Sequence, residues 1–138
     1  MKEKDKQLLL NDLCARMPYN VICQFTWTYC NETTNGEDVI AKENDNIRGI
    51  DINTKEVQAA YYGEWVDLEH CKPYLRSISE LTDKEIYEWH KITSGQRWIT
   101  FTHAKSCFNW LNKHHVDYKG LIKKGLALEA PEDMYKTE

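Results

Sequence analysis

The sequence lacks long runs of apolar side chains. Three leucines, Leu8 to Leu10, follow a charged start, Met1 to Lys6, and three are too few for a signal-peptide core or a membrane span. Only six glycines and three prolines occur among 138 residues, and no stretch rich in glycine, serine or proline divides the chain. We therefore expect one globular domain, residues 1–138, that is soluble, cytoplasmic and not bound to a membrane.

The cysteines do not form the pattern of a disulfide scaffold. They are odd in number, widely spaced and without a Cys-x-x-Cys pair: Cys14, Cys23, Cys30, Cys71 and Cys107. A small secreted domain normally carries an even framework of cysteines. The spacing therefore predicts reduced thiols and an intracellular protein.

Sequence motifs of catalysis are also missing. There is no Gly-x-Ser-x-Gly elbow, no phosphate-binding or dinucleotide-binding glycine loop, and no His-Glu-x-x-His. His103 and Cys107 are four residues apart on a predicted helix, but His114 lies about 16 Å further along its axis, too far to share their metal ion. We expect no catalytic residues, no metal and no cofactor. A small Cys/His hydrolase stays open as an alternative, because five cysteines and five histidines make a chance pair possible.

Charge is unevenly distributed along the chain. Residues 1–69 carry 13 acidic and 7 basic side chains, whereas residues 91–124 carry 7 basic and one acidic. Aromatic residues are interleaved with these cations. This mixture is typical of proteins that bind nucleic acids, in which cations contact phosphates and aromatic rings stack on bases. A solvated surface balanced by the acidic first half is the simpler interpretation. The candidate binding residues are Arg97, Trp98, Lys105, Lys113, His114, His115, Lys119, Lys123 and Lys124.

Hydrophobic periodicity predicts an α+β fold. An amphipathic helix over 4–17 ends at Pro18, and Asn20 suits the turn that follows because asparagine tolerates positive φ. An antiparallel meander of about four to five strands follows, with turns at 44–46 and 53–55. The predicted strands are 21–29, 39–41, 47–52, 56–62 and 65–68.

The second half is predicted to be mainly helical and to pack on the sheet. An extended piece over 73–76 leads to Thr82 and Glu85, which are spaced as a capping box for a helix over 82–93. A short strand over 98–101 and helices over 103–115 and 117–124 complete the pattern, with Asp117 as the cap of the last helix. The predicted core is Leu10, Leu13, Val21, Cys23, Phe25, Trp89, Phe108, Leu111 and Leu121.

The densest segment runs from Cys107 to Pro131 and contains two adjacent histidines, three aromatic residues and four lysines before Gly125. We interpret it as mainly structural, with His114 packed beside Trp110 and His115 nearer solvent. A binding role for the pair is the alternative.

Several segments resemble an uncharacterised family of small proteins from gut anaerobic bacteria and their phages and mobile elements. They are 5–10, 12–19 (Asp-Leu-Cys-Ala-Arg-Met-Pro-Tyr), 71–76 (Cys-Lys-Pro-Tyr-Leu-Arg) and the run from Trp110 to Glu138. Members commonly have glycine at Asn20 and proline at Ser77. The resemblance implies no assigned activity and suggests an accessory protein borne on a mobile element.

Together these features predict a small non-catalytic binding or interaction domain. A protein partner is favoured, since aromatic residues beyond what a small core holds tend to face partners. Nucleic acid bound through residues 97–124 is the alternative partner.

Overall fold

A computed structural model describes residues 1–30, 38–94 and 101–135 of the chain. Helix α1 (Glu3–Arg16) precedes five strands, β1 (Ile22–Cys30), β2 (Asp38–Asp51), β3 (Glu56–Ala59), β4 (Trp65–Asp67) and β5 (Cys71–Leu75). Helices α2 (Asp83–Thr93) and α3 (Phe101–Lys113) and the two-residue strand β6 (Leu128–Glu129) follow. The predicted α+β class, with an N-terminal helix, an antiparallel sheet and C-terminal helices, is confirmed.

The six strands form one sheet in the order β4-β3-β2-β1-β5-β6. All neighbours are antiparallel except β5 and β6, which are parallel. Along β1, strand β5 pairs with the first half, so that Cys23 faces Pro73 and Phe25 faces Cys71. Strand β4 and the 3₁₀ turn Leu68–His70 contact β1, although β3 and β2 lie between β4 and β1 in the sheet, so the sheet is curved here.

Strand β2 is a single long strand, so the turn predicted at 44–46 is wrong, and so is the separation of 39–41 from 47–52. Its first half pairs with β1 and its second half with β3, with a register irregularity between Ile47 and Gly49. Asp45 nevertheless uses its turn-forming side chain, because its Oδ2 accepts the backbone N–H of Tyr61 at 2.7 Å and so fixes the β3–β4 turn. The strand predicted over 56–62 ends at Ala59, because Tyr61 and Tyr62 belong to the turn that Asp45 holds.

The hydrophobic core lies between α1 and the sheet face that carries Cys23 and Phe25. Leu9, Leu10 and Leu13 are fully or almost fully buried, as are Cys23 and Phe25. Two later residues, Leu121 and Leu126, close the same cluster from the C-terminal end. Burial is thus confirmed for Leu10, Leu13, Val21, Cys23, Phe25 and Leu121 of the predicted core.

The predicted turn after α1 is confirmed. Asn20 has φ 58° and ψ 44°, the left-handed region in which glycine and asparagine are tolerated best. Ser77 has φ −67°, close to the value that proline fixes.

Helix α2 begins as predicted, with a complete capping box between Thr82 and Glu85. It has no buried residue, however, and packs mainly on α3. Trp89 and Leu111 are therefore only half-buried, and Phe108 is 51% exposed against the ring of Tyr118. The core assignment of these three residues was wrong, since helical periodicity marks an apolar face but not the depth to which it is buried.

Two further boundaries differ from prediction. Residues 121–125 form turns rather than the helix predicted over 117–124, with Gly120 and Gly125 at positive φ. Of the strand predicted over 98–101, residues 98–100 lie outside the described residues, and Phe101 begins α3. No helix in the described part of the chain is long and apolar enough to cross a membrane.

Candidate functional site

The residues from Trp110 to Tyr135, here called the C-terminal segment, hold most of the predicted site. Helix α3 ends at Lys113, and His115 adopts φ 59°, where glycine or asparagine usually stands. This turn directs Val116 into a parallel bridge with Arg76, just beyond β5. The end of α3 is thereby fixed to the sheet.

His115 is the more buried of the two adjacent histidines, only 7% exposed, so its predicted place nearer solvent was wrong. Its ring stacks on Tyr135 with centroids 3.7 Å apart. Burial, together with the charge of Arg16, lowers the pKa of His115 to about 4. The Tyr135 hydroxyl accepts the N–H of Ile22 at 2.9 Å and donates to the carbonyl of Tyr74 at 2.7 Å, so the stack is anchored on β1 and β5.

His114 packs beside Trp110 as predicted, with centroids 4.2 Å apart. Its Nδ1 lies 3.1 Å from Glu85, and Glu85 receives two 2.7 Å hydrogen bonds from the guanidinium of Arg76. Those bonds lower the pKa of Glu85 to about 2. Desolvation lowers the pKa of His114 although Glu85 opposes this shift. The group ties α2 to the residues that follow β5 and α3.

A buried ion pair that sequence reasoning missed lies beneath this segment. Asp12 and Arg16 are both fully buried and joined by a 2.8 Å bond, and Arg16 also donates to the carbonyl of Val116 at 2.6 Å. Lys119 lies 3.6 Å from the other oxygen of Asp12, which is an ion-pair distance rather than a hydrogen bond. The i,i+4 spacing of Asp12 and Arg16 beside buried leucines was the available signal.

The structure does not bring the remaining candidate residues into one group. Lys105 and Lys113 are exposed on α3, and Lys123 and Lys124 are exposed on the following turn. Lys124 borders a cleft together with Glu3 and Asp5 of α1. Arg97 and Trp98 lie outside the described residues. A role of this window in nucleic-acid binding stays a prediction.

The Cys/His alternative has one supporting distance. Cys107 Sγ lies 3.8 Å from His103 Nε2, on the same face of α3. Within the described ranges, no group of three or more His, Cys, Asp or Glu side chains is placed to hold a metal ion. Burial raises the pKa of the Cys23 thiol well above its usual value, which disfavours the nucleophilic thiolate.

A second region, which sequence reasoning did not single out, lies on the sheet. Tyr61 is 85% exposed, Trp65 47% and Tyr62 42%. The ring centroid of Tyr62 lies 5.1 Å from that of Tyr61 and 5.4 Å from that of Trp27. Trp27 and Trp65 line one groove between β1 and β4. We call these four side chains, Trp27, Tyr61, Tyr62 and Trp65, the aromatic surface.

Carboxylates occupy the same part of the sheet. The register places Asp51 opposite Glu56 and Glu56 opposite Asp67, so three acidic side chains share one face of β2, β3 and β4. We call them the carboxylate row. Gln58 and Trp65 form the neighbouring pair on that face.

No family model, curated protein or solved structure matches this chain.

Proposed function

We propose that this protein is a non-catalytic interaction domain that binds a protein partner through its aromatic surface. The observation that carries the proposal is that Tyr61, Tyr62 and Trp65 are exposed, and that the two tyrosines are nevertheless held in place. Trp27 is half-buried against the core and supports the ring of Tyr62. Tyr61 is 85% exposed, but its backbone N–H is bound by Asp45 and its ring rests on Tyr62. Tyr62 in turn donates its hydroxyl hydrogen to Glu43 at 3.1 Å.

Such an arrangement favours binding for two reasons. Aromatic side chains supply large contact areas and dominate the binding energy of protein interfaces. Side chains that are already ordered lose less conformational entropy when a partner binds. The predicted cluster of histidines and lysines is a less suitable binding surface, because His114, His115 and Lys119 contact other residues of the chain.

A peptide library displayed on phage and selected against the whole protein tests the proposal. Enriched peptides would be synthesised and titrated by fluorescence polarisation against wild type, Tyr61→Ser and Tyr87→Ser. Tyr87 is the matched control, because it is 64% exposed but lies on α2. We expect Tyr61→Ser to weaken binding about tenfold, which corresponds to about 1.4 kcal/mol, and Tyr87→Ser to leave it unchanged. Absence of enriched peptides, or equal losses in both variants, would contradict the proposal.

Nucleic acid is the alternative partner, favoured by exposed Lys105 and Lys113 on α3. It predicts that single- or double-stranded oligonucleotides bind and that affinity falls steeply with added salt. Lys105→Ala combined with Lys113→Ala should then reduce both the affinity and its salt dependence. On the proposal above, oligonucleotides show no salt-sensitive binding at physiological ionic strength.

A further inference from the structure

We infer that the partner segment presents a lysine or arginine side chain to the groove between β4 and the end of β1. This inference rests on the proposed function and specifies the chemistry of the partner. It is carried by the shape of the groove, by the setting of Trp65 and by the charges beside it.

The groove has a volume of about 320 Å³ and is formed where β4 approaches β1. Its walls include Thr26, Trp27, Ile40, Trp65, Asp67 and His70. This volume is at the lower end of the range of about 300–1,000 Å³ for small-molecule pockets, which suits one long side chain better than a folded element. The indole rings and Ile40 match the methylene stem of lysine or arginine, and the carboxylate of Asp67 matches the charged end.

Trp65 is positioned to contact such a side chain. A Cβ atom at Gly49 would lie 3.4 Å from the Cη2 atom of Trp65, so the indole ring extends over β2 at a residue without a side chain. The ring remains 47% exposed. An exposed indole face is the best aromatic partner for a cation.

The carboxylate row supplies the charge. Like charges directly opposite each other across a sheet are destabilising. Nevertheless Asp51, Glu56 and Asp67 form no ion pair with any cation in the described part of the chain. Lys55, the adjacent residue in sequence, pairs with Glu3 instead.

Two of these carboxylates are already oriented. Asp51 Oδ1 accepts the N–H groups of Asn53 and Thr54, and Asp67 Oδ1 accepts that of Glu69 at 3.0 Å. In each case the Oδ2 atom accepts no hydrogen bond from the described residues. Of the row, Asp67 lines the groove, so a cation bound there would meet the ordered carboxylate of Asp67. Its charge would also relieve the repulsion between Asp67 and Glu56.

Three fluorescein-labelled peptides test the inference. Each alternates serine and threonine, with three alternate positions occupied by arginine, norleucine or glutamate. They are titrated against wild type, Glu56→Gln and Trp65→Ala, with Glu132→Gln and Tyr87→Ala as exposed controls elsewhere. We expect the arginine peptide to bind at least about tenfold more tightly than the norleucine peptide. Added salt should weaken that binding.

Melting temperatures distinguish a loss of binding from a loss of the fold in this experiment. Glu56→Gln should weaken binding of the arginine peptide severalfold and at the same time raise the melting temperature, because it removes repulsion within the row. Trp65→Ala should also weaken binding, while both control variants should bind as wild type does. A variant that had merely lost its fold would melt at a lower temperature.

Other outcomes overturn the inference. They are equal binding of the arginine and norleucine peptides, no effect of Glu56→Gln, or failure of all three peptides to bind. If library peptides still bind through Tyr61, the proposed function stands and only the cationic side chain is wrong. If the library also yields nothing, both fail.

Discussion

Polar groups have opposite surroundings in the C-terminal segment and on the part of the sheet formed by β2, β3 and β4. In the C-terminal segment, His115 stacks on Tyr135, His114 contacts Glu85 and Lys119 contacts Asp12. On the sheet, three carboxylates face one another and the neighbouring aromatic rings are exposed. The comparison teaches that a dense cluster of reactive residue types can mark where a chain closes on itself. The surface left for a partner is made of residues spread over four strands.

The largest effect is expected at the buried ion pair. Arg16→Ala should lower the free energy of unfolding by about 3–5 kcal/mol, because it leaves Asp12 buried without its main partner. Urea denaturation measures this. The double variant Asp12→Leu with Arg16→Met should lose much less, since no buried charge is then uncompensated. Equal losses in both variants would show that packing, rather than charge, decides stability here.

The pH dependence of stability should reveal the buried histidine. The pKa of His115 falls from 6.5 to about 4 on folding, so the unfolded chain binds more protons between these values. The contribution of His115 to the free energy of unfolding is complete above pH 6.5. It decreases by about 2–3 kcal/mol as the pH falls towards 4. His115→Asn, which tolerates positive φ, should remove that part of the slope in denaturation curves. An unchanged slope would show that His115 titrates in both states alike.

Asp117 should have a smaller effect within the same segment. Its carboxylate accepts the N–H of Leu121 at 2.8 Å and that of Ile122 at 3.0 Å. Asp117→Ala should cost about 1–3 kcal/mol of unfolding free energy, because two amides lose a charged acceptor. Asp117→Asn, which keeps one acceptor oxygen, should cost less. Thermal denaturation that ranks the asparagine variant below the alanine variant would contradict this account.

The smallest effect has the opposite sign and lies on the sheet. Glu56→Gln should raise the free energy of unfolding by about 0.2–1 kcal/mol, because it removes like charges opposite Asp51 and Asp67. Chemical denaturation at low salt measures it best, and added salt should reduce the difference. A loss of stability would mean that Glu56 has a favourable role in the free protein. The contrast between the two regions would then disappear.

Local patterns predicted most elements of the fold. The period-2 alternation from Val21 to Trp27 correctly indicated a strand with one buried face, and Thr82 with Glu85 correctly marked the start of α2. These signals are local because backbone capping and the pleat depend on residues close in sequence. The turn predicted at 44–46 was wrong because these residues pair with residues 22–24 of β1, which are distant in sequence.

In the candidate sites, too, contacts between residues close in sequence were predicted and contacts between distant residues were not. The sequence indicated correctly that His114 packs beside Trp110, because residues four apart are neighbours on a helical turn and the His114 N–H still bonds to the Trp110 carbonyl. It could not indicate that His115 would be buried on Tyr135, since that stack joins residues twenty positions apart. The aromatic surface was equally hidden, because Trp27 and Tyr62 are brought together by pairing of β1 with β2 and by the β3–β4 turn.

The sequence by itself determined the α+β class, the leucine face of α1, the alternation of β1 and the cap of α2, because each follows from spacing within one element. Only the tertiary structure decided which charges are neutralised. Strand register sets Glu56 between Asp51 and Asp67, and docking of the C-terminal segment brings Lys119 to Asp12. Electrostatic interactions depend on distance in space and on burial, and neither is encoded in the spacing of residues along the chain.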